Sequence, residues 1–328
     1  MSATITDVAR AAGVSPSTVS RALGGGPVND ATRATIVRVA EELGYRPNRA
    51  ARELITGRTG TIGLLVPDLG NPYFSEIIKG ASSRARAGAL PIFVSDTDED
   101  VAREREAIAS LRATTDGLLL VSPRGSDEEL AALAAGGPTV VVNREVPGLP
   151  AVISDAASGI AQALQHLGAL GHTRVAYVTG PHGSWSDHRR REGLASATGL
   201  GIEIVHVPAA TPTFHSGVLA ADLVLTTGAT AVIAFNDLIA IGVLDRLAAR
   251  GVRVPHDLSV VGHDDIAMAS MCSPHLTTIA VPKERMGSMA ADMLLRTLDR
   301  RGASDDRDPS VLLPSTLIVR DSTGEVKA

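Results

Sequence analysis

The residues able to do chemistry in this 328-residue chain do not assemble into a catalytic set. Its nine histidines are scattered without metal-ligand spacing. The P-loop, GxGxxG, GxSxG and HExxH patterns are missing, so an enzyme reading has no supporting constellation. The run Asp96-Thr-Asp98-Glu-Asp100 begins like a calcium loop. Val101 stands where that loop needs Gly, and Ala107 where it needs Glu. The acids instead suit a polar loop leading into a helix N-terminus, where the dipole favours them. Arg189-Arg-Arg191 could clamp a phosphate, but one inward Arg190 between solvated neighbours is the plainer reading. No metal or cofactor is expected. What remains is binding chemistry. Asp and Asn supply acceptors and donors for hydroxyls, and Arg supplies fixed donors.

Composition narrows the field further. The chain is 44% hydrophobic and 20% charged, and only 2% aromatic, so it buries an aliphatic core. Its single cysteine, Cys272, can make no internal disulfide or CxxC site, which suits a reducing compartment. The N-terminus has no apolar signal core and no run of about 18 apolar residues occurs, so a cytoplasmic protein with no membrane partner is expected. Net charge is −5, but it is unevenly spread. Residues 1–60 carry eight Arg against five acids, a balance of +3; the remaining 23 basic and 31 acidic residues leave −8. A small cationic module on an acidic body is the reading.

These residues need elements to position them. Residues 6–12 read as a short helix that Thr6 can cap, with Val8, Ala9 and Ala12 as its apolar stripe. Gly13 supplies the tight turn. Ser15 caps a second helix with Pro16 at its first position, and Val19 and Leu23 face inward. Gly24-Gly-Gly26 ends it. A third helix, capped by Asn29 or Asp30, runs to about residue 43 and stops at Gly44. Two short helices joined by a Gly turn and backed by a third form the helix-turn-helix pattern. Tyr45-Arg-Pro-Asn48 is a stop and turn, and residues 49–54 form a helical segment too short to be stable alone. From residue 61, apolar runs of strand length alternate with helical stretches: 61–67, 90–95, 116–122, 139–143, 152–154, 174–179, 202–207, 231–235 and 258–262. That alternation means parallel α/β sheets. Nine strands are too many for one small sheet, so two doubly wound lobes are expected, each with a crevice at its strand C-termini.

The segments TVSRAL and GYRPNRAAREL, together with LLVPDLGNPYF, resemble the start of a LacI/GalR (lactose-repressor/galactose-repressor) family regulator. Further segments extend the resemblance along nearly the whole chain: Gly171-His172, Thr179-Gly-Pro181, Arg190-Arg-Glu-Gly193, Phe235-Asn-Asp237, Val260-Val-Gly-His-Asp-Asp265 and Leu276-Thr-Thr-Ile279. The fold implied is an N-terminal all-α helix-turn-helix DNA-binding domain on an α/β periplasmic-binding-protein-like body of two doubly wound parallel-sheet lobes. The domains would be 1–46, a hinge helix and linker at 47–60, and a body at 61–328. Its N-lobe would take residues 61–154 and 282–308, and its C-lobe 155–280 and 311–328. The chain would cross between lobes near 154–156, 279–282 and 308–312.

Carried onto this sequence, the resemblance has Pro16, Ser17 and Arg21 facing base edges. Thr18, Ser20, Tyr45 and Asn48 approach phosphates, Ala51 and Leu54 enter the minor groove with Leu54 as the wedge, and Thr6, Ser15 and Asn29 complete the DNA set. Arg reading guanine and an exposed Leu kinking a base step agree with the physics of such contacts. An effector would lie between the lobes against Tyr73, Phe74, Asn143, Asp155, Trp185, Arg190, Asn236 and Asp264. Tyr73, Phe74 and Trp185 offer stacking faces; the alternative for Trp185 is a surface-loop anchor. The set fits a neutral polar ligand such as a sugar. His263, where many relatives have Tyr or Phe, is either a neutral donor or a packed histidine, and Pro212 replaces an aromatic. The function implied is a cytoplasmic homodimeric regulator, a repressor released from a palindromic double-stranded operator by its effector. A corepressor-activated regulator responding to a nucleobase or other small polar metabolite is the alternative; a solute-binding protein and an α/β enzyme are the others. Residues 316–328 hold no leucine heptads, so no tetramerisation tail is expected.

Overall fold

The computed structural model describes residues 3–24, 26–45, 58–299 and 310–327. They fall into two compact units, Met1–Gly60 and Thr61–Ala328.

In the first unit α1 (Ile5–Ala12), α2 (Pro16–Leu23) and α3 (Asp30–Glu42) enclose a small core of Val8, Ala9, Val19, Ala22, Ile36, Val39 and Ala40. The cap of α1 is Thr4, not Thr6. Thr4 and Asp7 form a reciprocal capping box, an arrangement that needs a carboxylate three residues after the cap; Ala9 would occupy that place for Thr6. Gly13 takes the left-handed conformation that ends α1, with φ 66°. Ser15 caps α2 over Pro16, and Asn29 caps α3. Arg33 of α3 donates to the carbonyls of Ala22 and Gly26, which ties α3 to the end of α2.

The second unit is built from apolar runs rich in Val, Ile and Leu, buried on both faces in the inner strands and partly exposed at the sheet edges. β1 (Ile62–Val66), β2 (Ile92–Asp96), β3 (Gly117–Val121), β4 (Thr139–Val142) and β5 (Ala151–Ser154) make one parallel sheet. β6 (Arg174–Val178), β7 (Glu203–Val207), β8 (Ala231–Ala234), β9 (Ser259–Asp264) and β10 (Thr277–Ala280) make the parallel part of a second. Two short strands finish the sheets: β11 (Val311–Leu313) lies parallel to β5, and β12 (Thr316–Ile318) antiparallel to β10. The strand orders are β11-β5-β4-β3-β1-β2 and β12-β10-β9-β8-β6-β7. Ile62, Leu64 and Val66 of β1 join one core layer and Leu65 the opposite one, as strand alternation requires.

The helices are α4 (Pro72–Ala87), α5 (Val101–Thr114), α6 (Asp127–Ala134), α7 (Ala156–Ala169), α8 (Trp185–Leu194), α9 (Phe214–Thr226), α10 (Asp237–Ala249) and α11 (Lys283–Asp299). α4 packs on α11 and α9 on α10 at backbone contact. A methyl added at Gly80 or Gly287, or at Gly217 or Gly242, would run into a carbonyl oxygen of the facing helix.

Three crossings join the lobes, at residue 155, at 281–282 and at 314–315. The third is later than the sequence suggests. β11 completes the first sheet, so Val311–Leu313 belong to the N-lobe and not to the C-lobe. Residues 308 and 309 lie outside the described set. β10, β11 and β12 have three or four residues each.

Candidate nucleic-acid interface and ligand cleft

In the first unit, α2 turns Val19 and Ala22 into the core and leaves Pro16, Ser17 and Arg21 exposed, with Thr18 and Ser20 half-buried. Ser17 and Arg21 are one turn apart, and Arg21 Nε donates to the Ser17 carbonyl at 3.3 Å. Ser15 Oγ accepts from the Thr18 amide and lies 2.8 Å from Ser17 Oγ. Thr6 is exposed on α1, Asn29 at the start of α3, and Tyr45 half-buried against the core. Asn48, Ala51 and Leu54 lie outside the described residues. The exposed face of α2 is short, polar and cationic, the form that enters a major groove.

In the second unit, both sheets reverse strand order beside β1 and β6, so each has a crevice where β1 parts from β3 and β6 from β8. A cavity of about 320 Å³ lies at these strand ends. From the N-lobe come Asn71, Tyr73 and Phe74 after β1, Glu99 after β2, Ser122 and Arg124 after β3, and Asn143 after β4. The C-lobe gives Ser186 and Arg190 after β6, Pro212 after β7, Phe235 and Asn236 after β8, and Asp264 at the end of β9. Six of the eight residues expected from sequence are therefore here. Asp155 is not among the lining residues: its carboxylate caps α7 by accepting from the Ser158 amide. Neither is Trp185, which begins α8, packs against the N-lobe core and lies 5.7 Å beneath the Arg189 guanidinium.

Arg190 is the centre of the site. It is 4% exposed and stacks on the Phe235 ring at 4.0 Å. Its Nη2 lies 3.0 Å from His263 Nδ1 and 3.3 Å from Asp264 Oδ1, while Nε and Nη1 have no hydrogen-bond partner. Unpaired donors on a buried guanidinium are costly, and they suit a ligand able to accept from them. His263 is buried behind Arg190 and does not line the cavity. Burial, with help from the Arg190 charge, pushes its pKa down to about 4. As a neutral imidazole it can accept from Arg190 or donate to Asp264 through Nδ1, but not both.

Across the cleft, Asn143 Nδ2 donates to Ser122 Oγ at 2.8 Å and to Ser186 Oγ at 3.1 Å. Asn236 Oδ1 accepts from the Ile239 amide and its Nδ2 donates to the Pro212 carbonyl. Glu99, Ser122, Asn143 and Asp264 all hold positive φ, with Asp264 at 115°. Such backbone costs about 1–3 kcal/mol per residue and gathers where side chains must be aimed at a ligand. Sequence reasoning missed Asn71, Glu99, Ser122, Arg124, Ser186 and Phe235. Glu99 belongs to the acidic run that resembles a calcium loop, but both its carboxylate oxygens accept from Arg124. Asp100 of the same run caps α5.

Residues 4–48 match the family described as bacterial regulatory proteins, lacI family, and residues 164–323 match a periplasmic binding protein-like domain. The HTH-type transcriptional regulator DegA of Bacillus subtilis (strain 168) is 33% identical over 98% of this chain and 98% of its own. The chain belongs to the LacI family of bacterial regulatory proteins. The ribose operon repressor of Haemophilus influenzae is 31% identical over 99% of this chain and 100% of its own. Among solved structures of the LacI family, the Lac repressor dimer bound to operator and the anti-inducer ONPF superposes with a TM-score of 0.86 at 29% identity, covering 99% of this chain and all of that one. The cellobiose complex of the regulator CelR superposes with a TM-score of 0.72 at 29% identity, over 98% of this chain and 99% of that one. As a LacI-family member the chain is a DNA-binding transcriptional regulator and not an enzyme. No helix of the described residues is long and apolar enough to cross a membrane.

Proposed function

We propose that this protein is a cytoplasmic repressor that binds a palindromic double-stranded operator as a homodimer and is released by a small sugar. The observation that carries the effector half is the cavity chemistry: Arg190 with Nε and Nη1 unpaired, amides of Asn71, Asn143 and Asn236, and the rings of Tyr73, Phe74 and Phe235. Donors, acceptors and flat apolar faces in one small space match the hydroxyls and ring faces of a carbohydrate. Relatives point the same way, since one is a ribose operon repressor and another solved structure holds cellobiose. The DNA half rests on the exposed α2 face and on the Lac repressor dimer seen on its operator.

In this reading Arg21 and Ser17 face base edges, residues 47–60 form the hinge, and Leu54 is its minor-groove wedge. Two-fold symmetry of the protein matches a palindromic site. The edge strand β2, with Phe93 49% and Val94 39% exposed, is an apolar edge that a second copy would cover. Sugar binding biases the lobe arrangement, and the hinge transmits that bias to the operator.

Arg21→Ala is expected to cost about 1–3 kcal/mol on the cognate operator and to relax base preference at one position, measured by gel shift against single-base operator variants. Equal loss on every sequence would remove Arg21 from base reading. Repeating the titration with the activating sugar should weaken operator binding; tighter binding would make the sugar a corepressor.

A further inference from the structure

Arg124 lines one space in the cleft and touches Ser184, which lines another. On one side is the inner cavity, a small space lined by both lobes. On the other is a wider, open groove, lined among others by Arg144, His182, Ser184, Trp185 and Arg191. The two linings adjoin along residues 184–187, where two contacts join the lobes. One is the Asn143–Ser186 hydrogen bond. The other is made by Arg124, which lines the inner cavity and reaches Ser184 Oγ of the outer groove at 3.5 Å.

Arg124 is not free to swing aside. Its Nε and Nη2 donate to the two oxygens of Glu99 at 2.5 and 2.9 Å, a bidentate pair with both side chains mostly buried. Its own amide donates to Glu104 Oε2 at 2.7 Å, and the next amide, Gly125, to Glu104 Oε1 at 2.8 Å. Side chain and backbone are thus each fixed by a different carboxylate, one of them buried. A planar guanidinium held at both ends makes a rigid wall where a longer ligand would have to pass.

We propose that Arg124, clamped by Glu99 against Ser184, sets ligand size in this regulator: the inner cavity takes one sugar ring, and Arg124 shuts off the outer groove where a second linked ring would lie. The proposal rests on the reading of the cleft as a sugar site. Neither the fold nor the neighbouring Arg190 decides it, since Arg190 lies on the far lobe and serves any ring placed in the inner cavity.

The test is titration calorimetry on the full chain with D-ribose, D-glucose and D-galactose, and with cellobiose, lactose and maltose. Wild type should bind at least one of the monosaccharides and all three disaccharides at least about a hundredfold more weakly. The double variant Arg124→Ala/Glu99→Gln, which leaves no unpaired charge, should gain about tenfold or more for a disaccharide relative to the best monosaccharide. Arg124→Lys keeps the charge for Glu99 but loses the fork and the reach to Ser184. It should shift the ratio in the same direction by less, and it stands in if the double variant does not fold. Wild type binding a disaccharide as tightly as its best monosaccharide overturns the proposal. So does a folded variant whose ratio is unchanged, because a purely structural role would weaken every sugar alike. If none of the six sugars binds either protein, the sugar reading itself falls, a result distinct from failure of the size rule.

Discussion

At the first position of α10, Asp237 is fully buried, and its carboxyl meets Thr278 Oγ1 at 2.5 Å and the Ile266 amide at 2.8 Å. It thereby buckles the end of β8 to the loop after β9 and to β10. Burial, reinforced by the nearby Asp264 charge, pushes its pKa up to about 8 from the ordinary 3.8. The sign of the consequence follows from proton counting. Between about pH 4 and 8 the folded chain holds a proton here that the unfolded chain has lost, so this group's stabilisation is complete below that window and lost as the pH rises through it. The slope is about 1.4 kcal/mol per pH unit at most. Asp237→Asn mimics the protonated acid, with its amide donating to Thr278 and its oxygen accepting from Ile266. The variant should show a flatter decline of Tm from pH 5 to 8, measured by thermal unfolding across buffers; a parallel decline would remove Asp237 as the source. The same scale explains what was legible in the site. Asn143, Asn236 and Asp264 end apolar runs and Arg190 follows one, so their place near a crevice could be read. Glu99 and Arg124 gave no such sign, because their bidentate pairing joins loops 25 residues apart in sequence.

Among the elements, the helix pairs carry the most stringent demand. α4 and α11 cross through Gly80 and Gly287, α9 and α10 through Gly217 and Gly242, and each added Cβ would sit far inside van der Waals contact of a facing carbonyl: Glu284, Ile77, Ile239 and Phe214 respectively. Backbone cannot yield as a flexible side chain can. Gly80→Ala or Gly217→Ala should therefore destabilise by about 3 kcal/mol or more, at the upper end of overpacking costs, although Ala is the better helix former. Chemical denaturation checks this; a gain in stability would mean that the helices separate easily. These four glycines are invisible as contacts in the sequence, because each partner is an element distant in the chain. The elements themselves were readable where they were long. β1, β3 and α2 lie close to their apolar patterns, whereas the start of α1 turned on which of Thr4 and Thr6 had an acid three residues on.

For the whole molecule, charge and architecture divide the labour. The body carries −8 and the first sixty residues +3, so affinity for phosphates is expected in the small unit. A fragment of residues 61–328 should keep the ligand-induced rise in Tm given by whichever sugar binds the full chain, and should lose measurable operator binding. Loss of the Tm shift in a folded fragment would mean that the site needs residues from the first unit.

By itself the amino-acid sequence determined the alternation of strands and helices, the short cationic module and the family. These follow from local patterns: period-two and period-3.6 apolar spacing, caps, glycine turns and motifs of a few adjacent residues. Tertiary structure alone decided that β11 closes the first sheet, that Asp155 and Trp185 lie off the cavity, and that Glu99 and Arg124 wall it. Each of those depends on which distant segments end side by side. Strand order, a three-residue pairing and an ion pair between loops are non-local, and no period in the chain encodes them.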